Sequence, residues 1–98
     1  MCKLCIFAGT TEGRELVSFL AGQPVSVVAC VATEYGQTLL PSCDNLTVSA
    51  GRLTQPEMEA LFAREGFDMV IDATHPYAAL VTENIAAACQ AAGVVYHR

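Results

Sequence analysis

Short apolar segments alternate along this chain with longer segments whose apolar residues recur every three or four positions. In the short segments the residues are all apolar or alternate between apolar and polar, as in β-strands. In the longer segments the apolar residues form a stripe along one face of a helix. This alternation predicts a parallel sheet with right-handed crossovers and helices on both faces. The predicted strands are residues 3–8, 25–32, 46–50, 68–73 and a last one beginning at 94–96.

The first predicted helix follows the first strand almost at once. It covers residues 12–21 and ends at Gly22, a residue type that suits the position just beyond a helix. A short helical turn is expected at residues 37–40, stopped by Pro41. The apolar residues of the first helix are predicted to share one face: Leu16, Val17, Phe19 and Leu20.

Two further helices are predicted in the second half of the chain. The first starts at a capping box, Thr54 to Glu57, with Pro56 in its opening turn. The second covers residues 77–92, and its many alanines permit close packing against a sheet. The apolar stripe of the first is formed by Met58, Leu61 and Phe62.

The predicted fold class is α/β, a Rossmann-like three-layer sandwich whose five-stranded parallel sheet has the order 3-2-1-4-5. Residues 46–50 alternate between apolar and polar, which suits an edge strand. In this order the connections reverse direction between strands one and four. Ligands of such folds bind at that point, beyond the carboxyl ends of the strands.

Composition indicates which kinds of partner and which cellular compartment to expect for this protein. Apolar residues make up 53% of the chain, and the formal net charge of −5 disfavours nucleic acid and anionic membrane surfaces. No apolar run approaches the ~18 residues that a membrane span needs. Met1 leads into a strand-like segment without a signal peptide, so five cysteines indicate reduced thiols in the cytoplasm.

The two N-terminal cysteines form a C-x-x-C, the spacing used by redox pairs and zinc sites. Redox pairs place this motif at a helix N-terminus, whereas Cys2 and Cys5 lie at the start of a predicted strand, on opposite faces. The sequence has no second C-x-x-C to complete a zinc site. We therefore expect neither a redox pair nor a metal site.

Four polar clusters follow strands one to four, and in a parallel sheet all four emerge at the same edge. The first, residues 9–14, places Thr10 and Thr11 between two glycines at the start of a helix, where turn N–H groups hold phosphates. It is not the G-x-G-x-x-G fingerprint, because Gly9 and Gly13 are four apart. The two threonines can equally serve as helix caps.

The other clusters carry single residues with two interpretations each. Arg52 suits phosphate geometry but can equally be a solvated surface arginine. Glu34 could bond a ribose 2′-hydroxyl, which would favour NAD, although it lies past its strand. Asp72 can be a buried carboxylate satisfied by loop N–H groups. His75 is either a ligand contact at the switch point or a residue of the next helix's first turn, with Pro76.

Taken together and in this order, the four clusters resemble the precorrin-6A reductase and cobalt-precorrin-6A reductase family of cobalamin biosynthesis. The resemblance spans nearly the whole chain, and its first and last motifs together are specific. The matching runs are Gly9-Thr10-Thr11-Glu12-Gly13-Arg14, Ala32-Thr33-Glu34-Tyr35-Gly36, Gly51-Arg52-Leu53 and Asp72-Ala73-Thr74-His75-Pro76-Tyr77-Ala78.

The resemblance implies a reductase that delivers hydride from NADPH to a corrin-precursor macrocycle bound between two Rossmann-like halves. Family members are much longer than this chain, so residues 1–98 are expected to be the N-terminal nucleotide-binding domain. Its partners are then the macrocycle and a C-terminal domain of the same protein. The implied cofactor-binding residues are Gly9, Thr10, Thr11, Glu12, Thr33, Arg52 and Thr74, and the implied substrate-binding residues are His75, Pro76 and Tyr77.

Two other functions fit the same predicted fold. A nucleotide-sensing domain without catalysis remains open, because a fold does not fix a function. A sugar-nucleotide dehydratase or epimerase is disfavoured, since that class needs a tyrosine and a lysine a few residues apart. The single lysine, Lys3, is far from Tyr35 and Tyr77.

Overall fold

The fold is described here from a computed structural model, which covers residues 2–98. Strands and helices alternate along these residues, as the sequence pattern predicts. The strands are β1 (Cys2–Ala8), β2 (Val25–Val31), β3 (Leu46–Ala50), β4 (Met69–Ala73) and β5 (Val95–His97). The helices are α1 (Thr11–Leu20), α2 (Glu34–Thr38), α3 (Gln55–Glu65) and α4 (Ala79–Ala92).

The five strands form one parallel sheet in the order β3-β2-β1-β4-β5. This is the predicted order, and β3 lies at an edge, as its alternating pattern suggested. β1 sits in the centre, with Phe7 opposite Cys30 of β2 and Ala8 opposite Ala73 of β4. The carboxyl ends of β1 and β4 therefore lie side by side where the topology reverses.

Two separate cores lie on the two faces of the sheet, which makes the fold a three-layer sandwich. On one face α1 packs against the central strands, and Val17 is fully buried there with Ile6 and Val27. On the other face α3 and α4 pack against the sheet, and Phe62 contacts Phe7 in an edge-to-face geometry.

The helix ends largely follow the predicted signals. The capping box at α3 is present: the Thr54 hydroxyl accepts from the Glu57 N–H, and the Glu57 carboxylate accepts from the Thr54 N–H. Gly22 has a φ of +82°, the left-handed conformation expected just beyond α1. Among residues 2–98, none of the helices has the length and apolar character that crossing a membrane demands.

One predicted core residue is not in the core. Phe19 was expected on the apolar face of the first helix, but its side chain is 70% exposed. The face of α1 that meets the sheet is centred on Gly13 and Val17, both buried. Phe19 lies two positions after Val17, about 200° around the helix axis, and so points away from the sheet.

Two helices begin at other positions than predicted. α2 starts at Glu34, three residues early, because the Thr33 hydroxyl caps it by accepting from the Gly36 N–H at 3.0 Å. α4 starts at Ala79, so His75 is not in a first helical turn. The segment before α4 is a separate turn, in which the Ala78 N–H donates to the His75 carbonyl oxygen at 2.9 Å.

Candidate functional site

An open cleft of about 580 Å³ lies at the carboxyl ends of β1 and β4, the predicted switch point. One wall is the start of α1 and the other is the loop after β4. This cleft, which we call the cradle, is lined by Gly9, Thr10, Thr11, Glu12, Arg14, Thr74, His75 and Pro76. Seven of the ten site residues predicted from sequence therefore lie together in the cradle.

The hydroxyl of Thr10 makes two hydrogen bonds within the protein. It accepts from the Gly13 N–H at 3.1 Å, which caps α1, and donates to the Ala73 carbonyl oxygen at 2.9 Å. The capping interpretation of this residue is therefore confirmed. The first N–H groups of an α-helix have no partner inside the helix, so the backbone of Thr11 and Glu12 supplies donors at this wall.

Close backbone packing explains both glycines of the first cluster. A β-carbon on Gly9 would lie 3.3 Å from the Thr74 Cα. A β-carbon on Gly13 would lie 3.1 Å from the Ala8 Cα. These approaches seat the start of α1 directly on the ends of β1 and β4. The helix N-terminus, with its partial positive charge, consequently opens into the cradle.

One cation and one anion flank the helix start. The Arg14 guanidinium donates to the Thr11 hydroxyl at 3.2 Å and lines the cradle. Glu12 lies in the first turn of α1 and is exposed. Arg14 was not among the predicted cofactor-binding residues. Its position four residues after Thr10, one turn along the helix, was the available signal.

The opposite wall fixes the imidazole of His75. The Tyr77 N–H donates to His75 Nδ1 at 3.2 Å, and the two rings lie 4.9 Å apart at 33°. Because Nδ1 accepts this bond, it carries no proton, and the neutral ring holds its proton on Nε2. His75 therefore presents a hydrogen-bond donor, Nε2–H, on its other side.

A buried carboxylate lies behind this wall. Asp72 lies near the end of β4 at 3% exposure, and its two oxygens accept four hydrogen bonds and form an ion pair with Arg98. The sequence interpretation of a buried strand-end carboxylate satisfied by loop N–H groups is confirmed for one donor, the Thr74 N–H. The other donors come from side chains. The four hydrogen bonds come from Thr74 N (3.1 Å), Thr74 Oγ1 (2.6 Å), Thr82 Oγ1 (2.8 Å) and Tyr96 Oη (2.9 Å), and Arg98 Nη1 forms the ion pair with Oδ2 at 3.0 Å.

These bonds set the ionisation of the cluster. Burial on its own would raise the pKa of Asp72, but the hydrogen bonds from Thr74, Thr82 and Tyr96 outweigh it and hold the pKa below its usual value. Burial, together with the bond to Asp72, raises the pKa of Tyr96 to about 12. The cluster thus keeps a carboxylate and a neutral phenol at physiological pH.

A second cleft of about 460 Å³ adjoins the cradle. It lies between the ends of the first three strands and α4, and its apolar lining includes Phe7, Leu53 and Met58. Arg52 lines this cleft and not the cradle, and so does Tyr77, which is 89% exposed. The residues shared by the two clefts are Gly9, Thr74 and His75.

Two candidates lie outside both sets of lining residues. Thr33 is occupied as the cap of α2, and Glu34 lies in the first turn of that helix. The apolar second cleft was not predicted, because its residues come from four separate segments of the chain. Its apolar members Phe7, Leu53 and Met58 each have, taken alone, the character of an ordinary core position.

The remaining chemistry-bearing residues lie elsewhere. Lys3 pairs with Glu65 at 3.0 Å, at the end of β1 opposite the cradle, so no tyrosine and lysine pair forms in either cleft. Cys2 is exposed, whereas the buried Cys5 Sγ lies 3.8 Å from that of Cys30. The bond to Cys30 and burial raise the pKa of the Cys5 thiol far above its usual value, which makes it unreactive.

Comparison with known proteins identifies relatives of one kind. The family model described as precorrin-6x reductase CbiJ/CobK matches residues 3–98. The cobalt-precorrin-6A reductase of Methanothermobacter thermautotrophicus is 37% identical over 97 residues, covering 98% of this chain and 32% of that protein. The precorrin-6A reductase of Rhodobacter capsulatus is 37% identical over 95 residues, covering 96% of this chain and 37% of that protein.

A solved structure has the same fold. A chain described as CobK precorrin-6A reductase superposes with a TM-score of 0.81 at 35% sequence identity. The match covers 98% of this chain and 38% of that one. The chain therefore spans about a third of the length of the relatives that it matches.

Proposed function

This chain belongs to the precorrin-6x reductase family, and from that membership we propose that it is the N-terminal, NADPH-binding half of a cytoplasmic reductase. The reductase would act on a corrin-precursor macrocycle, precorrin-6A or cobalt-precorrin-6A, in cobalamin biosynthesis. A C-terminal half of the same protein would form the other side of the active site. This two-domain arrangement is supported by the relatives, because the chain covers only 32% and 37% of the length of the two relatives described above.

The observation that carries the proposal is the cradle itself. It combines a helix N-terminus, two close glycine packings and the Arg14 guanidinium around one opening. Backbone N–H groups and an arginine are the groups that hold a pyrophosphate. The residues present therefore fit the phosphates of a dinucleotide, with Thr10 acting through the backbone that it caps.

The second cleft fits the nucleoside end of the same ligand. Its apolar lining suits an adenine ring, and Arg52 on its wall suits the 2′-phosphate that distinguishes NADPH from NADH. Glu34, the residue type that would favour NADH, lies in the first turn of α2, outside the lining residues of both clefts.

The protein's task in this proposal is binding and orientation. NADPH when bound supplies the hydride, and the fold sets its position against the macrocycle. His75 offers its Nε2–H beside the cradle, and Tyr77 adds an exposed aromatic ring. Together with Pro76 these residues are placed to meet the substrate's carboxylates and apolar surface.

A nucleotide-sensing function is the second candidate. One observation favours it: the ionisable group with the strongest hydrogen-bonding environment at the site, Asp72, is buried behind the wall and does not line either cleft. Such a site is equipped for binding more than for proton transfer. The two candidates make the same prediction for nucleotide binding and differ in turnover.

Titration calorimetry tests the cofactor. We expect NADPH to bind this chain more tightly than NADH, and Arg52→Ala to abolish most of that preference, since an arginine–phosphate pair contributes about 2 kcal/mol. The matched control is Arg64→Ala, which removes an exposed arginine at the far end of α3 and should leave the affinities for both nucleotides unchanged. Equal affinities for the two nucleotides in the unaltered chain would contradict the assignment.

A turnover assay then separates the two functions. NADPH oxidation is measured with cobalt-precorrin-6A, using this chain and a version extended to the length of its relatives. We expect turnover only from the extended protein, because one wall of the cleft leaves the cofactor mobile and misorientation is costly in rate. NADPH binding without turnover in the extended protein would favour nucleotide sensing.

A further inference from the structure

We propose that Asp72 is a positioning residue for nucleotide binding: its buried carboxylate fixes the Ala73–Thr74 backbone that closes the cradle. The inference rests on the proposed function for the identity of the ligand. It assigns Asp72 no contact with that ligand, because the side chain lies behind the cradle wall.

The carboxylate joins three elements at one point. Asp72 lies in β4, Thr82 lies in α4, and Tyr96 and Arg98 lie in and just after β5. Oδ1 accepts from the Thr74 N–H and hydroxyl, and Oδ2 accepts from the Thr82 and Tyr96 hydroxyls and forms an ion pair with Arg98. Charged acceptors form stronger hydrogen bonds than neutral ones, so these contacts hold the loop after β4 firmly from behind.

The residues that Asp72 fixes also form the front of the wall. The Ala73 carbonyl oxygen accepts from the Gly9 N–H at 3.2 Å and from the Thr10 hydroxyl at 2.9 Å. The Thr74 Cα is the atom closest to a β-carbon built on Gly9. A shift of this dipeptide would therefore move the Gly9–Thr10 turn, and with it the start of α1.

The contacts also show how Thr74, which lines both clefts, is held in place. Its hydroxyl and its N–H both donate to Asp72 Oδ1, and its hydroxyl oxygen lies 3.2 Å from Arg98 Nη1. Thr74 thus shapes the wall through its backbone, while His75, the next residue, faces the ligand. The position of His75 depends on the same anchor.

Replacing the charge without changing the shape tests this anchor. In Asp72→Asn the amide nitrogen must face either the two donors at Oδ1 or the two donors and the Arg98 guanidinium at Oδ2, so at least two hydrogen bonds are lost in either orientation. Tyr96→Phe removes a single donor and leaves the carboxylate in place. Comparing the two variants shows whether NADPH binding weakens in proportion to the number of hydrogen bonds lost at Asp72.

A matched control lies at the opposite edge of the sheet. The Asn45 side chain accepts from the Gly22 N–H and donates to the carbonyl oxygens of Leu20, Gln23 and Val25. Like Asp72, this side chain makes several hydrogen bonds at one point, but it lies outside the lining of both clefts. Asn45→Ala therefore reports the effect of lost stability alone.

The decisive measurement is the NADPH dissociation constant at a temperature where circular dichroism shows every variant folded. We expect Asp72→Asn to weaken binding about tenfold, the lower end of what losing a group behind a ligand-contacting residue costs. Tyr96→Phe should weaken binding less, and Asn45→Ala should lower the melting temperature without changing the dissociation constant. Should Asp72→Asn not fold, Tyr96→Phe and Thr82→Val carry the comparison.

Unchanged NADPH binding in folded Asp72→Asn and Tyr96→Phe, with a lowered melting temperature, would overturn the proposal and leave Asp72 a purely stabilising residue. Amide hydrogen exchange keeps the test independent of the ligand. The Gly9 N–H, bonded to Ala73, should exchange faster in Asp72→Asn than in Asn45→Ala. If the unaltered chain fails to bind NADPH, the proposed function fails, and this exchange comparison alone decides the positioning role.

Discussion

A β-carbon on Gly13 would lie 2.9 Å from the β-carbon of Ala73, closer than two carbon atoms can pack. The helix start and the end of β4 are thus in contact at a point where only a hydrogen atom fits. The same helix start forms one wall of the cradle and the same strand end forms the other. The close approach of the helix start to the end of β4 therefore depends on the absence of a side chain at Gly13.

We expect Gly13→Ala to destabilise the fold, although alanine is the better helix former. Overpacking costs about 1–3 kcal/mol, and the gain in helix propensity returns up to about 1 kcal/mol. Urea denaturation should therefore show a net loss of stability of up to about 2 kcal/mol. Ser18→Ala, at an exposed position of the same helix, is the control and should be neutral or slightly stabilising. A stabilised Gly13→Ala variant would refute the close packing.

The stability of the protein should fall in acid partly through Asp72. Its pKa is lower in the folded protein than its ordinary value of 3.8. The stability that this difference contributes is present above the ordinary value and is lost as the pH falls through the lower, folded value. Melting temperatures of the unaltered chain should therefore drop steeply below about pH 4.

The Asp72→Asn variant isolates that contribution. At neutral pH it should lose about 2 kcal/mol, because buried donors are left without acceptors. Its melting temperature should then vary less with pH in the acid range than that of the unaltered chain. Glu57→Gln is the comparison, since the pKa of Glu57 is also lowered by bonds to Thr54 but the group is exposed. Parallel acid profiles for the unaltered chain and Asp72→Asn would contradict the assignment.

The two nitrogens of His75 should have separable roles. His75→Asn keeps an acceptor near Nδ1 for the Tyr77 N–H, and His75→Gln keeps a donor near Nε2. We expect the asparagine variant to retain the stability of the turn and lose affinity for the ligand. The glutamine variant should do the reverse, and each loss is about 1 kcal/mol.

Urea denaturation and NADPH titration of both variants measure the two roles. Nitrogen-15 NMR of the unaltered chain above the pH of imidazole protonation should place the ring proton on Nε2. A proton on Nδ1 would be incompatible with the bond from Tyr77.

The strand order was predictable because the strands are short and apolar, and a recognisable helix separates each strand from the next. Once the elements alternate, right-handed crossovers leave few arrangements. The start of α3 was predictable for a local reason, the capping box at Thr54. The start of α2 was missed because its cap, Thr33, has Gly36 and not an acidic residue three positions later.

The error at Phe19 has a geometrical cause. Apolar residues at positions 16, 17, 19 and 20 can share one face of a helix only if that face is wide. In α1 the face that meets the sheet is centred on Gly13 and Val17. A glycine carries no apolar side chain to mark it as the contact point, so the pattern alone shifts the predicted face towards Phe19.

The cradle was largely predictable and the anchor behind it was not. The cradle residues lie in two short runs that a parallel sheet brings together. The partners of Asp72 lie between 2 and 26 positions away in the chain, in the loop after β4, in α4, and in and just after β5. Thr82, Tyr96 and Arg98 have no common motif, and their meeting depends on packing that a sequence does not display.

The partition between the two clefts constrains how this protein could be re-engineered. Gly9, Thr74 and His75 belong to both clefts, so any substitution there alters two compartments at once. Arg14 and Arg52 each border one compartment only. If the proposed function holds, nucleotide preference would be changed at Arg52 without altering the cradle. A change at Arg14 would then alter binding of the phosphates that both nucleotides share.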